Sequence, residues 1–267
     1  MSTAPARVSR TDRYGKSSRF YRVEGKDLPS VTTVLQAINK PALLPWAAKL
    51  EREMALTAAA AYHNELVAAM PEQPMPAPWF AATVTERLGK QYAHAKELKA
   101  AGDIGSEAHA MIEWTLRGEL GLPVEERPSL STPALRAFGA WEIWRRDVTL
   151  EVEHIERTVY SHTYGYAGTM DWLGHVDTPD GRLSVLGDWK TGKAIYPEAM
   201  LQNAAYIHAT HEMGLAEPPL AGCIVRLPKT AKDPGFEWKL IPADQMAGLL
   251  DVFLAALDLW KWLEKQK

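Results

Sequence analysis

The chain has 267 residues, 46% of them hydrophobic and 24% charged, which excludes wholesale disorder and allows one large domain or two small ones. Its 30 Lys and Arg against 33 Asp and Glu leave a formal net charge of -3. That balance argues against coating nucleic acid by global charge, though not against an enzyme whose basic residues are local. One cysteine, Cys223, excludes an intrachain disulfide, a Cys-rich zinc site and a cysteine-ligated iron–sulfur cluster.

No apolar run approaches the ~20 residues that span a bilayer. The N-terminus lacks the apolar stretch of a secretory signal. The expected setting is soluble and cytoplasmic, with no membrane partner.

Residues 1–28 read as a basic N-terminal arm. The first 30 residues carry seven Lys and Arg against three acidic side chains, so the remainder is the acidic part. Tyr14, Phe20 and Tyr21 sit among these charges. Either this is a solvated terminus, or it meets a DNA backbone with aromatics free to stack on bases.

Residues 29–102 read as a helical region. Ser30 or Thr32 caps an apolar stripe formed by Val31, Val34, Leu35 and Ile38. Residues 45–69 are Ala-rich, four prolines follow in 71–79, and a second helix is expected over 80–101. Gly102-Asp103 reads as a break before another helix over 104–117, and residues 133–146 form one more.

From about residue 148 the pattern alternates as strands do. A first strand precedes a hairpin whose two strands meet at Thr178-Pro179-Asp180-Gly181. A helix opens at Pro197, strands follow over 219–227 and 236–241, and residues 243–265 close the chain as a helix. The expected class is α/β, with a helical N-terminal part and a core over 103–267.

The chemistry centres on Asp188-Trp189-Lys190. Alternation puts Asp188 and Lys190 on one face of the sheet, about 7 Å apart, and Trp189 on the other. Asp171 lies in the preceding strand and comes near Asp188 if the register allows. Two carboxylates beside a lysine suit a hard divalent cation acting on a phosphate ester. The run Gly187–Lys193 is not a phosphate-cradling loop, because Lys193 is followed by Ala194 and no helix starts there.

These residues form an ordered set: Gly168-x-x-Asp171, Asp188-x-Lys190, then Gln202-x-x-x-Tyr206. Upstream stand Gly105–His109 (GSEAH) and Pro29–Leu35 (PSVTTVL), the latter followed by Pro45-Trp46. The set resembles the PD-(D/E)XK nuclease superfamily. It is most similar to the RecB-like exonuclease branch, which includes phage-encoded and mitochondrial genome maintenance exonucleases.

The resemblance implies a restriction-endonuclease-like core, a central mixed β-sheet flanked by helices. It implies a DNA exonuclease using Mg²⁺ or Mn²⁺, with DNA ends as substrate and recombination, repair or replication proteins as partners, in a bacterial or phage-infected cell. Asp171 and Asp188 would be acidic metal ligands, the Trp189 carbonyl a further one, and His109 one contributed from a helix. Glu156 would assist the metal, with Glu151 and Glu153 as rival carboxylates on the same strand. Lys190 would be the catalytic lysine. Gln202 and Tyr206 would face the site from the following helix, although Tyr206 as plain packing is the competing reading. The single cysteine marks a member without the iron–sulfur cluster found elsewhere in the branch. An endonuclease, or a catalytically silent DNA-binding relative, is the alternative.

Overall fold

A computed structural model describes residues 5–11, 17–38, 43–70, 76–89, 92–233 and 235–266. The chain divides into two compact units, residues 1–38 with 104–267, and residues 39–103. Among the described residues no helix is long and apolar enough to cross a membrane.

The larger unit holds a five-stranded mixed sheet flanked by helices, consistent with the expected restriction-endonuclease-like core. Its strands are β4 (Leu150–Ser161), β5 (Tyr166–Thr178), β6 (Gly181–Lys190), β7 (Ala221–Arg226) and β8 (Glu237–Ile241), and they lie in that order. β4, β5 and β6 pair antiparallel, β6 and β7 parallel, and β7 and β8 antiparallel. The parallel step needs a crossover, and α6 (Pro197–Glu212) supplies it, with Pro197 at its N-terminal end.

Each face of the sheet buries its own core. On one face Met170, Leu186 and Ile224 pack with Tyr206 of α6 and with Phe253 of α7 (Met246–Lys265). On the other face lie Trp172, Val185 and Trp189. They pack with Met111 and Ile112 of α4 (Ala93–Glu119) and with Trp141 and Trp144 of α5 (Thr132–Asp147). Trp172 and Trp189 stack at 5.3 Å, and Trp144 meets Trp189 edge-on at 5.3 Å. The tryptophans of this face are core. Gly187 makes room for them, because a Cβ there would stand 1.7 Å from the Trp172 ring.

Where an arm was expected, residues 6–11 and 17–29 hold a second, three-stranded sheet of β1 (Ala6–Thr11), β2 (Ser17–Val23) and β3 (Lys26–Pro29). Phe20 and Tyr21 are buried, so they do not wait as free stacking platforms; Tyr14 lies outside the described residues. Phe20 meets Trp260 of α7 at 6.1 Å. Ser30 caps α1 (Val31–Val34), accepting the Thr33 N–H at 3.0 Å, and forms a parallel bridge to Ala167 of β5. Val31 and Val34 enter the core beside α6.

The smaller unit contains α2 (Leu43–Ala69), α3 (Ala77–Leu88) and the start of α4. Tyr62 of α2 stacks on Phe80 of α3, and Arg87 pairs with Glu65 at 2.7 Å. Two boundaries differ from expectation. α3 ends at Gly89, whose φ of 61° suits glycine, and α4 then runs through Gly102 without a break. An interior glycine costs about 1 kcal/mol, too little to stop a helix of this length.

Candidate metal centre

His109, Glu156 and Asp171 each bring a ligand atom within 4.8 Å of the others. They come from α4, β4 and β5. α4 approaches closely because residue 105 is glycine, since a Cβ there would already stand 3.0 Å from Thr191 Oγ1. His109 lies four residues further on, so it shares a face with Gly105. Its Nδ1 is 3.6 Å from Asp171 Oδ2.

Glu156 arrives by a departure from regular strand geometry. Its φ is 44°, uncommon for a residue other than glycine. Ile155 pairs with Trp172 and Arg157 with Met170, so Glu156 lies opposite Asp171. Met170 joins the α6 side of the core while Trp172 joins the α5 side, so strict alternation fails between them. Such irregularities re-aim a side chain, and here two carboxyl groups are turned together. The rivals lie elsewhere: Glu151 is paired with Arg182, and Glu153 is 3.6 Å from His175.

A second cluster adjoins the first. Asp171 Oδ2 accepts the Trp189 N–H at 2.7 Å, which ties β5 to the end of β6. The bond is made by the Trp189 N–H and does not involve the carbonyl, which the resemblance implies as a metal ligand. Lys190 Nζ stands 2.7 Å from the Asp188 carboxylate and donates to Gln202 Oε1 at 3.2 Å. Gln202 Nε2 donates to Asp188 Oδ1 at 3.2 Å and to the Tyr206 hydroxyl at 3.5 Å. Gln202 and Tyr206 are one helical turn apart on α6. The Tyr206 ring lies over Gly168, where a Cβ would come within 2.3 Å of it, which gives the glycine of Gly168-x-x-Asp171 its reason.

Asp188 sits with Lys190 and Gln202, and the charges of Asp171 and His109 act on it, so the two clusters adjoin. The Asp188 side chain is 2% exposed, against 30% for Lys190, 27% for His109 and 12% for Asp171, so Lys190 and His109 are the more open of these groups.

The charges are costly as they stand. Burial first, then Asp171 and Glu113, push the Glu156 carboxyl up from 4.5 to about 8, while Arg7 and Arg117 pull it down. Glu113, one helical turn beyond His109, accepts from Arg117 at 2.8 Å. Burial also pushes Asp188 up to about 6, with Lys190 opposing. Burial works against the Lys190 ammonium, but Asp188 and Asp171 more than offset it and hold its pKa above the ordinary value. At neutral pH Asp188 and Lys190 are thus an ion pair.

Two oxygens and one imidazole nitrogen, open to water, fit a divalent cation that retains water ligands. The acidic crowding at Glu156 is the feature such a cation offsets. Around the group lie Thr169, which the sequence did not single out and whose hydroxyl bonds the Tyr21 hydroxyl at 2.9 Å, and Arg7 of the basic N-terminal segment, which reaches Thr169 at 3.4 Å. The excess of arginine in the first 30 residues was the available signal, and their pairing as strands was not legible. No protein-family model matches the chain, and no curated protein matches it.

Proposed function

We propose that the chain is a divalent-metal-dependent deoxyribonuclease of the PD-(D/E)XK type, hydrolysing phosphodiester bonds from DNA ends. The observation that carries this reading is the convergence of His109, Glu156 and Asp171 beside the Asp188–Lys190–Gln202 network. His109, Glu156 and Asp171 would hold Mg²⁺ or Mn²⁺, which when bound would supply Lewis-acid charge for a phosphate oxygen and ease deprotonation of water.

The chain's own groups do the rest. Lys190 remains an ammonium, so it donates hydrogen bonds and stabilises negative charge on the phosphate; it does not remove a proton. Asp188 keeps that ammonium charged, and Gln202 fixes the distance between the two. Tyr206, seated on Gly168, holds Gln202 in place. A role in phage or bacterial recombination, repair or replication follows from the sequence resemblance.

Asp188→Ala and Lys190→Ala are the first test, on DNA labelled at either end, single- and double-stranded, with Mg²⁺. Each substitution is expected to lower the rate at least about 100-fold. Cutting as fast as the parent overturns the assignment. A covalently closed circle separates the two modes: an exonuclease leaves it intact, and an endonuclease linearises it.

A further inference from the structure

We infer that the N-terminal sheet is a phosphate clamp, in which Arg7 and Arg19 grip the backbone of the DNA strand entering the metal centre. This inference rests on the nuclease reading and assigns the residues that hold its substrate.

The placement follows from strand register. Arg7 pairs with Tyr21, and Arg19 lies two residues before Tyr21 on the same strand. Directly opposed residues and residues two apart share a face, so Arg7, Arg19 and Tyr21 look the same way. That face lies on the core, because Tyr21 and Val23 pack with Ala167 of β5. The Tyr21 hydroxyl bonds Thr169 at 2.9 Å, and the Arg7 guanidinium lies 5.9 Å from the Tyr21 ring and 3.4 Å from Thr169 Oγ1. Thr169 is two residues from Asp171 on β5, so the Arg7–Thr169 contact adjoins the strand segment that carries Asp171.

The backbone of Arg19 is pinned. Its N–H donates to Thr33 Oγ1 at 2.9 Å, and its carbonyl accepts from the Ser30 N–H at 2.9 Å. The chain spends a capping serine and a buried threonine on holding this residue.

Arg22 supplies the contrast within the same strand. It points to the opposite face, and Asp27 neutralises it through two bonds, at 2.7 and 3.0 Å. Among the described residues no carboxylate lies within ion-pairing distance of Arg7 or Arg19. Both are exposed, with donors in a planar fork that matches a phosphate.

The test uses the full chain and a fluorescein-labelled single-stranded oligonucleotide. Affinity is read by anisotropy against salt concentration, with Ca²⁺ as a non-catalytic cation, and cleavage is read separately with Mg²⁺. Arg7→Gln and Arg19→Gln should each weaken binding about 5- to 10-fold and flatten the slope of log affinity against log salt by about 0.7 to 1. Cleavage at sub-saturating DNA should fall in step with the loss of binding. Arg22→Gln should match the parent in all three readings.

Unchanged salt slopes for Arg7→Gln and Arg19→Gln overturn the clamp, as does an equal loss in Arg22→Gln. If the parent cleaves but its arginine variants bind normally, the clamp fails and the nuclease reading stands. If the parent binds through Arg7 and Arg19 without cleaving, the clamp stands and the nuclease reading fails. A parent that binds no DNA removes both. A thermal melt of each variant guards against misfolding, and Arg7→Lys, which keeps charge without the fork, should recover part of the slope.

Discussion

Glu156 concentrates the tension of the candidate centre. Its backbone occupies a left-handed conformation at φ 44°, and its carboxyl is pressed toward Asp171 in a buried setting that pushes it up to about 8. Because that value lies above the ordinary 4.5, the folded chain binds this proton more tightly than the unfolded chain. The metal-free protein therefore loses stability as pH rises through that window, and a bound cation restores it. Glu156→Gln removes the loss. In EDTA its melting temperature should exceed the parent's by at least about 2 °C near pH 8.5 and match it near pH 5. Its response to Mn²⁺ should shrink. A variant melting with the parent at both pH values contradicts the electrostatic account. This residue also marks where reading the sequence stops: Glu151, Glu153 and Glu156 look alike along the strand, and a local break in alternation selects one of them.

At the scale of elements, glycines report which contacts position the site. Gly168 and Gly187 are legible as parts of a motif, but their reason is the aromatic ring that lies on each, which only the pairing of strands and α6 brings there. Gly168→Ala should cost about 1–3 kcal/mol and slow the reaction by shifting Tyr206 and Gln202. Gly102→Ala should do the opposite. Nothing lies within 4 Å of a Cβ there and the backbone is helical, so the change should stabilise by about 0.5–1 kcal/mol. Thermal or denaturant melts read both, and a destabilised Gly102→Ala would mean that α4 is interrupted there, as the glycine alone suggested. The strands after residue 148 were legible because alternation and the Thr178–Gly181 turn agree. The N-terminal strands were not, because short, charged strands lack apolar alternation.

For the whole molecule, net charge is a poor guide to partners. The total of -3 hides the crowded carboxyl groups of Glu156 and Asp171, whose charge a cation would offset, and an arginine-bearing sheet near them. Cys223 shows the same gap between composition and placement. It is fully buried on β7, and burial pushes its thiol well above the ordinary value. It should ignore thiol reagents in the native protein and react fully in guanidinium; labelling at the rate of a free thiol would place it at the surface. As a nuclease this chain would cleave DNA through a cation held by His109, Glu156 and Asp171. The most direct test is the single-turnover cleavage rate of end-labelled DNA as Mg²⁺ is titrated, for the parent and for Asp171→Asn. Activation should be saturable, abolished by EDTA and restored by Mg²⁺, with Asp171→Asn at least about 100-fold slower at every concentration. Cleavage that persists in EDTA, or an Asp171→Asn variant as fast as the parent, would contradict this reading.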